Sequence, residues 1–322
     1  MPDEALHQAH DKLFKAGFSD PVNAAGFLSA ELPAAITRRI DWDQLELKPG
    51  SFIDSHYRHS ESDLLFSAPF SGKESLIYIL FEHQTAEDSK LALRLLRYMV
   101  RIWESQLKNH PAPAKLPIIL PIVLAQNAEV WKLPPQFSAL LDIPSDLQNE
   151  VSAFVPDFTF QLIQLASLPF GSIRGTPAGI MTLRVMKAER IAKLLDDMVW
   201  DEALMMQLSR ETLELLIRYM LRADIDKNAF DRKVSSISQR ALQTTTMTLA
   251  DQLREEGQEK GLKKGLEKGL QESILEALEI RFDQIPDGLG EIVVGIHDPS
   301  RLRSLHKAAI QAATLEAFTA AL

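Results

Sequence analysis

Cysteine is absent from this chain of 322 residues, which excludes disulfide scaffolds, thiolate metal sites and cysteine nucleophiles together. Long apolar runs are absent too. The longest, Leu116 to Ala125, is broken by Pro117 and Pro121 and is far too short to span a bilayer. The opening stretch MPDEALHQAHDKLF is polar and charged, without the apolar segment of a secretory signal. These absences point to a cytoplasmic protein with no membrane partner. Several catalytic signatures are missing as well: no GxxxxGK[ST] phosphate loop, no GxGxxG fingerprint, no HExxH and no GxSxG. The eight histidines show no zinc-ligand spacing, and His7, His10, His56 and His59 read as surface residues. A positive charge excess is also lacking. The net charge of -9 argues mildly against nucleic-acid binding through a global field, yet local Lys/Arg clusters can still hold a polyanion.

What is present is an ordinary globular composition, 46% hydrophobic, in a length that suggests about two structural units. Asp20-Pro21 has the form of a helix start, with an N-cap acid and a proline at the first helical position. Apolar pieces around SDLLF lead to a turn at Ser71-Gly72-Lys73. Leu76 to Phe81 is then a near-continuous apolar run, as expected of a strand buried on both faces. Ser89 to Lys108 has helical periodicity, and Pro117 to Ala125 reads as a further core strand. Hairpin, helix and strand in this order predict an α/β unit with a mixed sheet. Met181 to Met220 reads as amphipathic helix throughout. Ser235 to Thr248, rich in Ser, Thr and Gln, has the composition of a boundary, before a charged helix from Leu249 to about Phe282. The predicted division is residues 1–234 and 235–322.

Glycines recur every four residues in that charged helix, at Gly257, Gly261, Gly265 and Gly269. Each costs roughly 1 kcal/mol in a helix relative to alanine. Two readings are open: a partly frayed, solvated helix, or a smooth strip for close approach of a second helix. The second makes residues 249–282 a route to a homo-oligomer.

The chemistry-bearing candidates lie at the end of the buried strand, Glu82-His83-Gln84. Alternation along a strand puts Glu82 and Gln84 on one face and His83 on the other. A buried carboxylate there needs a cation or strong hydrogen-bond partners. Asp63, in the preceding strand-like piece, could lie opposite it in a hairpin. Two such acids form an oxygen-rich site suited to Mg²⁺, which would polarise a phosphodiester oxygen and activate water. Two blander readings stand beside this one: Asp63 as a turn or capping carboxylate, and Glu82 as the partner of an arginine on the following helix. On that helix Lys90, Arg94, Arg97, Tyr98 and Arg101 share a face at 100° per residue. It is either a phosphate-binding face for DNA or a solvated basic surface.

The stretches HDKLFK (10–15), SDP (19–21), LKPGSFID (47–54), SDLLF (62–66), YILFEHQ (78–84) and RLLRYM (94–99) resemble the bacterial recombination-promoting nuclease family. That family is also described as a putative transposase family, within the PD-(D/E)XK nuclease superfamily. A looser likeness runs from Leu116 to about Lys193, and the glycine-repeat tail is similar too. The resemblance implies a restriction-endonuclease-like mixed-sheet core with a helical C-terminal region. It also implies divalent-metal-dependent DNA cleavage linked to recombination or mobile elements. By position it makes Asp63 and Glu82 the metal-binding acids, with the backbone carbonyl of His83 as a further ligand. Gln84 stands where the superfamily usually has a catalytic lysine, and would orient water or phosphate. Arg94 and Tyr98 match helix positions that border nuclease sites. The chain departs from the family at Ala125-Gln126-Asn127-Ala128, where a His-Gly-type turn is common; this reads as loop variation. A catalytically weak DNA-binding or assembly protein is the alternative.

Overall fold

The computed structural model describes residues 2–49, 64–109, 115–223, 225–283, 285–286 and 288–322. Asp63, His56 and His59 therefore lie outside the described residues. The chain forms two compact units, Met1–Met247 and Thr248–Leu322.

The first unit is built on a five-stranded sheet in the order β1-β2-β3-β4-β5. Its strands are β1 (Glu46–Lys48), β2 (Leu64–Phe70), β3 (Lys73–Gln84), β4 (Ile118–Ala125) and β5 (Gln161–Gln164). β1, β2 and β3 pair antiparallel, whereas β3, β4 and β5 pair parallel. The predicted mixed α/β sheet is thus present. Ser71 and Gly72 both have positive φ, at 59° and 64°, between Phe70 and its pairing partner Lys73. Two central residues in that region make the tight turn whose twist matches a β-hairpin. Pro121 lacks a ladder donor, and it sits in β4 just before the segment paired to β5 begins at Ile122.

Helices α1 (Pro2–Phe18), α2 (Pro21–Glu31), α3 (Ala34–Thr37), α4 (Leu91–Asn109) and α5 (Gln148–Ser152) come from the first half of the chain. α6 (Pro177–Arg190), α7 (Glu202–Met205), α8 (Arg210–Met220) and α9 (Lys227–Ser235) follow. The Asp20 carboxylate accepts from Val22 N–H with Pro21 as the first helical residue, as the sequence predicts. A parallel pair needs a long crossover, and α4 supplies it between β3 and β4.

Strand alternation assigns the two sheet faces. Leu65, Tyr78, Leu80 and Val123 pack with Leu91, Leu95, Tyr98 and Ile102 of α4 in one apolar cluster. On the other face Phe81 meets Phe14 and Phe18 edge-on, with ring centroids 4.9 and 5.5 Å apart. These belong to α1, which packs with α6 and α8. A sheet covered on both faces explains why Leu76 to Phe81 shows no polar alternation.

Helix α10 (Arg240–Phe282) begins nine residues before the expected start at Leu249 and contains the boundary between the units at Met247/Thr248. The Ser/Thr/Gln-rich stretch is mostly helical because its apolar positions are occupied: Leu242, Leu249 and Ala250 are buried and Thr246 is fully enclosed. The second unit takes its core from Ile274 and Leu278 of α10 with α11 (Leu289–Val294), α12 (Pro299–Gln311) and α13 (Leu315–Thr319). Gly257, Gly261, Gly265 and Gly269 all lie within α10, and a Cβ added at any of them would meet nothing within 4 Å.

Candidate functional site

β3 carries Glu82 into the interior, where it is 0% exposed. The alternation read from the sequence holds: Gln84 Nε2 donates to Glu82 Oε1 at 2.8 Å, while His83 points to the opposite face. The blander expectation for Glu82 is met. An arginine of the following helix does pair with it, through Arg94 Nη2 at 2.5 Å and Nε at 3.1 Å. Arg94 Nη1 also reaches Asp88 Oδ2 at 2.5 Å. Burial pulls the Arg94 guanidinium down, but the charges and hydrogen bonds of Glu82, with Asp88 and Tyr98, outweigh it and leave its pKa raised. Gln84 Nε2 also donates to the His83 carbonyl at 2.9 Å. One amide nitrogen thus spans the carboxylate and the carbonyl singled out in the sequence as ligand atoms. Among the described residues, no three His, Cys, Asp or Glu side chains are grouped as metal ligands.

The basic face of α4 comes together as anticipated. Lys90, Arg94, Arg97, Tyr98 and Arg101, with Asp88 and Leu93, line a cavity of about 180 Å³ among the described residues. Tyr98 differs from expectation in one respect. Only 6% of it is exposed, because its ring belongs to the cluster between α4 and the sheet. It forms a wall of this cavity rather than projecting from the surface.

Behind β3 lies a buried polar network that sequence reasoning missed. His83 Nδ1 contacts Asp11 Oδ1 at 3.1 Å, and His83 Nε2 contacts Gln126 Oε1 at 2.7 Å. Gln126 Nε2 donates to the Met186 carbonyl at 2.9 Å and to Tyr219 Oη at 3.2 Å, and lies 3.3 Å from His10 Nδ1. The Met186 carbonyl can only accept, so it fixes the orientation of the Gln126 amide. Gln126 Oε1 then requires a proton on His83 Nε2. His10 Nδ1 is also 2.5 Å from Tyr219 Oη, and His10 Nε2 is 3.7 Å from Glu189 Oε2. Burial first, then the Glu189 charge, pushes the Tyr219 phenol up, so it stays a neutral hydroxyl.

One expectation is corrected by this network. His10 is 1% exposed and is not a surface residue, because α1 packs against α6 and α8 and the His10 ring lies beside Tyr219 of α8. Gln126, in the loop that carries the Ala125–Ala128 departure, is 0% exposed. It places an amide where β3, β4, α1, α6 and α8 converge. A lone glutamine after an apolar run gave no signal of this. HDKLFK did, since His10 and Asp11 are its first two residues.

The profile of the family described as "Putative transposase, YhgA-like" matches residues 8–223, more than half of the chain. The chain belongs to this family. The resemblance drawn from the sequence is therefore correct at family level. Recombination-promoting nuclease RpnD of Escherichia coli O157:H7 is 32% identical over 127 residues, covering 38% of this chain and 48% of RpnD. Recombination-promoting nuclease RpnA of Escherichia coli K12 is 34% identical over 120 residues, covering 37% of this chain and 40% of RpnA. The match thus spans less than half the length of either relative. A protein named "Inactive recombination-promoting nuclease-like protein RpnE", also from K12, is 26% identical over 273 residues, 80% of this chain and 85% of its own length. No solved structure matches the chain significantly. No described helix is long and apolar enough to cross a membrane.

Proposed function

We propose that this protein is a divalent-metal-dependent DNA endonuclease of the PD-(D/E)XK type, acting in recombination or on mobile elements. The observation that carries the reading is Glu82: a fully buried carboxylate at a strand end, hydrogen-bonded to Arg94, which lines a cavity together with Lys90, Arg97 and Arg101. The names of RpnD and RpnA support a nuclease role, and the order of antiparallel hairpin, helix and parallel strand is compatible with such a core.

The donor chemistry fits a hard cation. The Glu82 carboxylate and the His83 carbonyl both supply oxygens and share one amide donor. A cation there would take the place of the N–H groups of Gln84 and Arg94 that donate to Glu82 Oε1. Asp63, the residue before Leu64, would add a second carboxylate; Leu64 pairs with Phe81, next to Glu82. Mg²⁺ or another divalent cation bound there would polarise the scissile phosphodiester and favour ionisation of water. Gln84 can orient water or phosphate but cannot supply charge or a proton. Arg97 and Arg101 would hold DNA phosphates through charge-assisted hydrogen bonds, while Arg94, engaged with Glu82 and Asp88, ties that face to the strand end and Tyr98 shapes the cavity beside them.

The test is cleavage of supercoiled plasmid by the purified full chain, with Mg²⁺ and with chelator. Nicked or linear product should need the metal and fall about a hundredfold or more in Glu82→Gln and in Asp63→Ala. Wild-type rates in either variant would overturn the mechanism. The name of RpnE favours a second reading, a DNA-binding protein that does not cut. DNA retention without cleavage in any divalent metal would establish that one instead.

A further inference from the structure

The cavity on α4 has a size and a lining that phosphate contacts alone do not call for. At about 180 Å³ it holds several waters' volume, yet it is smaller than the pockets that enclose whole drug-sized ligands. Its apolar lining residues are Leu93 and Tyr98, beside the long side chains of the arginines. Leu93, Val100 and Leu107 are the large hydrophobic side chains that α4 leaves exposed, at 36%, 40% and 42%, and of these Leu93 lines the cavity. Lys90, Arg97 and Arg101 line the same cavity, together with Asp88, which pairs with Arg94, and Arg94 is hydrogen-bonded to Glu82. Arg94, Arg97 and Arg101 are strung over about 10 Å of helix axis. A cationic track beside a small apolar and aromatic recess is the arrangement that follows a single strand and stacks its bases.

We propose that this cavity takes the base of one unpaired nucleotide, with the flanking phosphates on the surrounding cations. The preferred substrate is then DNA carrying a bulge, flap or other unpaired position, rather than perfect duplex. A paired base would first have to leave the stack, which disfavours fully paired DNA at the same site. The inference rests on the nuclease reading for the role of the neighbouring Glu82, but the recess can be tested by binding alone.

The experiment uses the full chain in chelator, so that nothing is cut, at one fixed salt concentration. A duplex with a single-nucleotide 2-aminopurine bulge is compared with the fully paired duplex. The bulged DNA should bind at least about fivefold more tightly, the lower end of what one stacked base contributes. The 2-aminopurine emission should change on binding. Leu93→Asn, at a partly exposed position, should bring the affinity ratio toward one; its circular dichroism reports whether it is folded. The ratio cancels any general change in attraction to phosphate. Equal affinities for the two duplexes in the wild type, or an unchanged ratio in folded Leu93→Asn, would overturn the proposal. If the bulge preference is present but Mg²⁺ brings no cleavage of either DNA, the recess stands and the nuclease reading fails.

Discussion

Arg94 directs two N–H donors, Nη2 at 2.5 Å and Nε at 3.1 Å, at the same oxygen of a fully buried Glu82. The pair links the crossover helix to the strand end, and it is 30% exposed on the arginine side and 0% on the glutamate side. Removing the arginine leaves a buried carboxylate with less compensation, which is more damaging than removing both charges. Arg94→Met should destabilise the first unit by about 2 kcal/mol, allowing for the partial exposure of the guanidinium. Combining it with Glu82→Gln should cost less than the sum of the single changes. A double-mutant cycle by urea unfolding measures this, and strict additivity would rule out the coupling.

Gln126 should matter more than its place after a strand suggests. Gln126→Leu removes the partner of His83 Nε2 and a side-chain donor to the Met186 carbonyl inside a closed interior. Buried polar groups left without partners cost about 1–3 kcal/mol each. We expect a loss of roughly 3 kcal/mol, seen as a lower urea midpoint with an unchanged slope. A midpoint equal to wild type would show that water replaces the amide.

Glu189 sets a pH dependence whose sign can be derived. Burial raises its pKa above the ordinary value, and the opposing charge of Arg190 only partly offsets this. The folded state therefore holds the proton more tightly than the unfolded chain. Its contribution favours folding at low pH and declines as pH rises from the ordinary glutamate range to the raised folded value. Glu189→Gln should flatten that decline and leave the protein relatively more stable at neutral pH. Unfolding midpoints over a pH series, wild type against variant, give the comparison. Parallel curves would remove the assignment.

Arg97 and Arg101 should act on DNA affinity through charge. Each Arg→Ala change should weaken binding across sequences and reduce the slope of log affinity against log salt by about one. Fluorescence anisotropy between low and moderate salt checks this. Variants with the wild-type slope would place the phosphates elsewhere.

The glycine stripe of α10 makes opposite predictions under its two readings. A Cβ at any of the four glycines would enter open space. Replacing Gly257, Gly261, Gly265 and Gly269 with alanine should therefore raise helix stability by about 3 kcal/mol in total if they are merely solvated. If α10 self-associates through them, the added methyl groups should shift sedimentation toward monomer. Unchanged mass with a more stable helix would remove the oligomer role.

Much of this protein could be read from its sequence because the relevant forces are local. Asp20-Pro21 caps a helix, Ser71-Gly72 supplies a hairpin turn, and an unbroken apolar run makes a strand covered on both faces, each through chain-neighbour physics. Strand alternation also set Glu82 and Gln84 against His83, and helix periodicity gathered Lys90 to Arg101. Family membership was carried by the order of short motifs. Tertiary structure alone decided what each of those side chains meets. It settled on Arg94 as the partner of Glu82, folded Tyr98 into the core and enclosed His10. It also made Gln126 the meeting point of helices and strands more than ninety residues apart in sequence. Contacts at that separation depend on how faces pack, and no local pattern of residues encodes the partner across the interface.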